Sequence, residues 1–305
     1  MTRPYSWKSD TAFEPEETIM KNLNTPGSIA ELQVNDGVTL RYLKAGAGAP
    51  LVLLHTIRTQ LDYFRAVIPR LAEHYTVYAV DLPGHGHSSI DKTAAYDEPY
   101  FREAMIAFIE RLDLHDVTLV GESIGGVLAM TVAGALPDRV KAVVASNPYD
   151  YDSRYGDGVR RGNLIANAII GSFGVPVIGA VSAGLENRLF LGMVLKGGLH
   201  NPRNLPDDLL AEFDRVGRRS GYRHVERKTF AGWRSWGEAR RLYQNIKVPV
   251  TLIYGDEDWS RAGERQRNGS EVPGATMTTI PETGHFAFLE HPNAIVDIIL
   301  RRKVR

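Results

Sequence analysis

Short apolar runs at residues 51–54, 76–80, 117–120, 141–145 and 250–254 recur along the chain, with helical patterns between them. Near-continuous runs of this kind suit strands buried on both faces, as in a parallel sheet covered by helices. Ahead of them, residues 29–34 and 38–43 flank Asn35-Asp36-Gly37, a hairpin turn sequence, so the sheet opens with an antiparallel pair. Phe101, Met105, Phe108, Ile109 and Leu112 follow one helical face, as do Ile295, Ile298 and Ile299 after His291-Pro292-Asn293. The expected fold is α/β, a mostly parallel sheet with helices on both faces.

The strand–helix alternation breaks between about Asp150 and Arg241 and resumes at Val248. The interrupted block is glycine-rich first and arginine-rich later, which predicts an inserted helical cap. The expected organisation is an N-terminal extension over 1–27, a core formed by 28–149 and 242–305, and a cap over 150–241.

Composition narrows the function classes. With 36 basic and 36 acidic side chains there is no basic surplus for nucleic acid to meet. The chain has no cysteine, which removes thiol nucleophiles, disulfides and cysteine-ligated metals. The charged residues among the first 25, with no apolar run, argue against a secretory signal and for a cytoplasmic protein. Residues 162–185 carry no charge, but Asn163, Asn167, Gly171, Gly174, Pro176, Gly179 and Gly184 interrupt them. That pattern suits helices over an apolar pocket better than stable membrane insertion.

The sharpest chemical signal is Gly121-Glu122-Ser123-Ile124-Gly125-Gly126, between the 117–120 strand and a helical run. This is G-x-S-x-G, a strained strand-to-helix turn that exposes a serine hydroxyl at a helix N-terminus. A serine nucleophile needs a base, and the base needs an orienting acid. Among nine histidines, His285 in Glu282-Thr283-Gly284-His285-Phe286 follows a strand-like run at 275–280 and suits the base. His55 ends the 51–54 strand and reads as structural. His74, His115, His200, His224 and His291 read as surface or capping residues. His85-Gly86-His87 reads as a glycine-punctuated turn rather than a metal site, since no H-E-x-x-H accompanies it. For the acid, Tyr254-Gly255-Asp256-Glu257-Asp258-Trp259 closes a strand and offers both Asp256 and Asp258, with Asp150 and Asp152 more distant possibilities.

In this order of motifs the chain resembles the α/β-hydrolase superfamily. His55 after the third strand is followed by Asp81-Leu82-Pro83-Gly84-His85-Gly86-His87-Ser88, the Ser123 elbow, Gly255-x-x-Asp258 and Gly284-His285. The resemblance spans about residues 29–300 outside the cap and implies a capped serine hydrolase, esterase-like, with the triad Ser123, Asp258 and His285. It is what favours Asp258 over Asp256. It also implies an oxyanion hole from the backbone N–H groups of Ile124 and Ile57. Thr56 departs from the family pattern, where glycine follows the histidine, so a side chain stands in that loop. Serine at 123 sets the chain apart from the haloalkane dehalogenases and most epoxide hydrolases of this fold, which attack with aspartate.

The triad implies no metal and no cofactor, and a small-molecule substrate as partner. Ester hydrolysis is the first expectation; carbon–carbon bond hydrolysis, cofactor-free perhydrolysis and a non-enzymatic receptor role share the same residues. Arg58 could hold an anionic substrate group, but its spacing favours an ion pair with Asp62. Trp233 and Trp236 could line the pocket or simply pack. Arg215, Arg218, Arg219, Arg223 and Arg227 lie among Asp207, Asp208, Glu212, Asp214 and Glu226, a pattern that predicts internal salt bridges.

Overall fold

A computed structural model describes residues 27–154, 156–162 and 188–301. The expected N-terminal extension, apart from Gly27, and the uncharged stretch, apart from Gly162, lie outside the described residues.

The strands are β1 (Gly27–Asn35), β2 (Val38–Ala45), β3 (Pro50–Leu54), β4 (Thr76–Val80), β5 (Val117–Glu122), β6 (Val140–Ser146), β7 (Val250–Gly255) and β8 (Thr276–Ile280). They form one sheet in the order β1-β2-β4-β3-β5-β6-β7-β8. β1 and β2 pair antiparallel across the Asp36-Gly37 turn, β2 runs antiparallel to β4, and every later pairing is parallel. Each apolar run read from the sequence is a strand, with ends moved by at most two residues.

Alternate residues feed two cores. Val52, Leu54, Val117 and Leu119 pack with Phe101, Met105 and Phe108 of α2 (Glu98–Arg111) and Val127 and Leu128 of α3 (Ile124–Ala135). Leu51, Leu53 and Val120 face the opposite way, onto Ile68 and Leu71 of α1 (Ile68–Ala72) and the last helix. Asp97 starts α2 by accepting the Tyr100 N–H, which satisfies one of the donors a helix start leaves open.

Between β6 and β7 lie α4 (Asp157–Gly162), α5 (Arg188–Lys196), α6 (Asp207–Gly217), α7 (Tyr222–Ala231) and α8 (Trp233–Glu238). A 3-10 segment, Ala239–Asn245, then packs on α3 and leads into β7. After β7 come α9 (Ala262–Glu271), β8, the short α10 (Ala287–Glu290) and α11 (Pro292–Arg301). Among the described residues no helix is long and apolar enough to cross a membrane.

Candidate active site

Ser123 occupies the turn between β5 and α3 at φ 60 and ψ −121, a conformation side chains rarely adopt. The turn holds because its neighbours lack side chains: a Cβ on Gly125 would lie 2.0 Å from the Leu54 carbonyl oxygen, and one on Gly121 2.1 Å from that of Gly125. The Ser123 N–H is spent on the Ser146 carbonyl at the end of β6, 2.9 Å away, so the backbone is fixed while the hydroxyl faces His285.

His285 lies beyond β8, in the loop before α10. Its Nε2 stands 3.0 Å from the Ser123 hydroxyl and its Nδ1 2.5 Å from Oδ1 of Asp258. Ser260 donates both its N–H and its hydroxyl to the other Asp258 oxygen. Burial alone would raise the Asp258 carboxyl, but the adjacent His285 and the Ser260 donors outweigh it and hold Asp258 below the ordinary range. The three expected side chains are therefore brought into one buried line. Asp256 instead accepts the Thr283 N–H at 3.1 Å. Asp150 accepts from Tyr243 and Asn268, and Asp152 from Tyr149 and Gly158, away from the imidazole.

Several supporting groups carry no motif in the sequence. Asn147, just past β6, donates to the carbonyls of Gly284 and His285 at 3.2 and 2.9 Å and accepts the Gly255 N–H, tying the two loops together. Glu122, the residue before the serine, accepts from Ser146 and from the N–H of Ala287, each at 2.9 Å, and from the Tyr63 hydroxyl. Full burial pushes the Glu122 carboxyl up to about 8, against the pull of those donors. The indole of Trp259 covers one face of the His285 ring. Its place beside Asp258 was visible in the sequence; its stacking was not.

His55 is structural, as read: its Nε2 accepts the Leu82 N–H at 3.0 Å, which leaves Nδ1 to donate to the Thr56 carbonyl at 2.7 Å. Burial lowers its imidazole to about 4, so the ring stays neutral. The His85 to His87 segment is a turn around Asp81. That carboxylate pairs with Arg41 at 2.7 Å and accepts the N–H groups of Leu61 and His87, each at 2.8 Å. Gly86 is required there, since a Cβ would fall 2.1 Å from the Asp81 carboxyl.

Ile57, Ile124, Trp233 and Trp236 all border a cavity at Ser123, whose walls continue through Tyr149, Leu191 and Phe230. Ile124 opens α3, so its N–H has no earlier helical turn to bond and is available to a ligand. Trp236 also packs on Phe101, ring centroids 5.7 Å apart, so it serves the core and the cavity wall together. The Thr56 hydroxyl is buried without a hydrogen-bond partner at the same cavity.

The expected Arg58–Asp62 pair does not form. The segment is not helical at Arg58, which takes φ 63, and the 3-10 turn Leu61–Phe64 begins only later, so the two are not one helical turn apart. Arg58 instead meets Glu226 of α7 at 3.0 Å, while Asp62 receives Gln60 at 2.7 Å. Of the other expected pairs, Arg215–Glu212 and Arg218–Asp214 form within α6 and its end, whereas Asp208 pairs with Arg65 outside the block.

The alpha/beta hydrolase family model matches residues 51–298. The chain is 27% identical over 259 residues to the dihydrolipoyllysine-residue acetyltransferase component of the acetoin cleaving system of Cupriavidus necator, covering 85% of this chain and 64% of that one. It thus spans under two thirds of the length of that relative. Over 116 residues, 38% of this chain and 44% of the relative, it is 34% identical to the (E)-2-((N-methylformamido)methylene)succinate hydrolase of Acinetobacter baylyi. Among solved structures, Cfl2 of Burkholderia cenocepacia superposes with a TM-score of 0.76 at 25% identity, covering 92% of this chain and 96% of that one. With the family model spanning the sheet from β3 to the last helix, the chain belongs to the alpha/beta hydrolase family.

Proposed function

We propose that the chain is a serine hydrolase that cleaves a carboxylic ester of small to medium apolar character, with residues 150–241 as the cap over its site. One observation carries the reading: the buried line Ser123, His285, Asp258, at 3.0 and 2.5 Å, facing an apolar cavity. In this mechanism His285, oriented by Asp258, accepts the Ser123 proton as the hydroxyl attacks the ester carbonyl. The N–H groups of Ile124 and Ile57 hold the negative oxygen that forms. His285 then protonates the leaving alcohol. Water, deprotonated by the same ring, attacks the acyl-serine ester and releases the acid. The aromatic and aliphatic walls favour an apolar acyl group and keep bulk water from competing.

The test is hydrolysis of p-nitrophenyl esters from acetate to long acyl chains by the native protein and by Ser123→Ala. Turnover should fall at least about 10³-fold in the variant, and the preferred chain length should size the cavity. Equal rates in both proteins would overturn the mechanism. Tight binding with vanishing turnover by the native protein would move the assignment to a receptor.

A further inference from the structure

Arg58 borders two spaces. One is the apolar cavity at Ser123; the other is a polar cleft between the end of α6 and the start of α7. The second is lined by Arg58, Arg218, Arg219 and Arg223 against a single carboxylate, Asp214, with Gly221 at the head of α7.

The charges in this cleft do not cancel. Arg218 is matched by Asp214 at 2.9 Å, and Arg58 by Glu226 at 3.0 Å. Arg219 donates to the carbonyls of Gly86 and Ser88, which satisfy its N–H groups but bring no formal negative charge. Among the described residues no carboxylate pairs with Arg219 or with Arg223 of the first turn of α7. The positive end of the ten-residue α7 opens on the same space through Gly221 at φ 90. Arg219, half-buried and sharing the field of Asp81 with Arg41, and Arg223, with no carboxylate against it among the described residues, stand beside a helix N-terminus and leave the cleft net positive.

The backbone is shaped around Arg58, the residue the two spaces share. A Cβ on Gly217, the last residue of α6, would lie 2.5 Å from the Arg58 guanidinium, so the helix end leaves room for that side chain. Arg58 itself is held at positive φ just after Thr56 and Ile57, and its guanidinium lies 5.1 Å over the Tyr222 ring. Arg58, paired with Glu226 on the side of the apolar cavity, also borders the basic cleft.

We propose that this cleft binds the anionic end of the substrate: an ester whose carbonyl lies at Ser123, whose apolar chain crosses the cavity, and whose far end is a carboxylate. This rests on the ester-hydrolase reading and adds a chemical class to it. The matching ligand has three zones, reactive, apolar and anionic, in the order in which the protein presents its hydroxyl, its aromatic walls and its arginines.

The experiment compares p-nitrophenyl hemiesters of dicarboxylic acids, from glutaric to sebacic, with neutral p-nitrophenyl esters of equal acyl length. At one length the native protein should prefer the hemiester by about tenfold or more in kcat/KM. In Arg223→Gln that preference should fall about tenfold, through KM, the scale of one lost charged contact. Arg111→Gln, the same charge change on α2 and outside the cleft, should keep it. No hemiester preference in the native protein, or equal loss in both variants, would overturn the proposal. Inorganic phosphate titrated calorimetrically into native protein and Arg223→Gln supplies a readout independent of turnover. Heat of binding with the former alone supports the cleft, and none with the native protein overturns it. If no ester of either kind is cleaved, the ester reading falls, and the phosphate titration still decides whether the cleft binds anions.

Discussion

The indole of Trp259 lies parallel to the imidazole of His285, with ring centroids 4.1 Å apart and planes 15° from each other. An aromatic face of this kind supports the ring laterally and attracts it electrostatically when it carries a proton. Replacing Trp259 with leucine should lower kcat about tenfold, with Ser123 still labelled by a fluorophosphonate, whereas Trp259→Phe should keep most of the rate. Steady-state kinetics on a p-nitrophenyl ester would show it; an unchanged kcat in Trp259→Leu would remove the stack from the mechanism.

Strain at the elbow separates two variants that both lose the proposed nucleophile. Ser123→Gly can relax into φ 60 and ψ −121, while Ser123→Ala cannot. The glycine variant should therefore be the more stable by about 1 kcal/mol, read as the difference in denaturant midpoint.

Glu122 makes stability fall on the alkaline side. Its carboxyl, ordinarily near 4.5, is raised to about 8 by burial in the folded protein. Its contribution is fully present below 4.5 and is lost as pH rises through 8. Between pH 6 and 9 the native protein should lose roughly 2–3 kcal/mol that Glu122→Gln, which cannot ionise, does not lose. Urea titrations of both proteins at the two pH values test this.

His55 acts in the opposite direction. Burial lowers its imidazole from 6.5 to about 4, so the folded protein resists a proton that the unfolded chain takes up. Stability associated with this ring is present above 6.5 and is lost as pH falls through 4. Going from pH 7 to pH 5 should cost the native protein about 2 kcal/mol more than His55→Asn. The denaturant midpoint is again the readout, and parallel pH slopes in the two proteins would refute the assignment.

Thr56 stands where the family pattern has glycine, and its hydroxyl is buried with no hydrogen-bond partner. Thr56→Val removes the unpaired group and keeps the shape. It should raise stability by about 1 kcal/mol, measurable as a higher melting temperature; a loss of stability would mean that the hydroxyl is satisfied in solution.

What could be read from the sequence was what local pattern dictates. The strands announced themselves as apolar runs, the Ser123 turn by its glycines, and His285 by its place after a late strand. Side chains whose role depends on distant elements meeting were silent. Asn147 matters because β6 ends beside the loops that carry Gly255 and His285. Glu122 reads as an ordinary middle residue of the pentapeptide until Tyr63, Ser146 and Ala287 arrive around it. Arg58 was misassigned because its spacing to Asp62 suggested a helix, and only the packing of α7 over the β3 loop brought Glu226 to it.

The line from Ser123 to His285 crosses 162 positions of chain. A ribosome delivering this polypeptide releases Ser123 early, Asp258 much later and His285 last of the three. In the proposed mechanism Ser123 has no proton acceptor until the segment after β8, which carries His285, has docked beside β7. On that mechanism the onset of reactivity toward a fluorophosphonate would time the final docking step of folding.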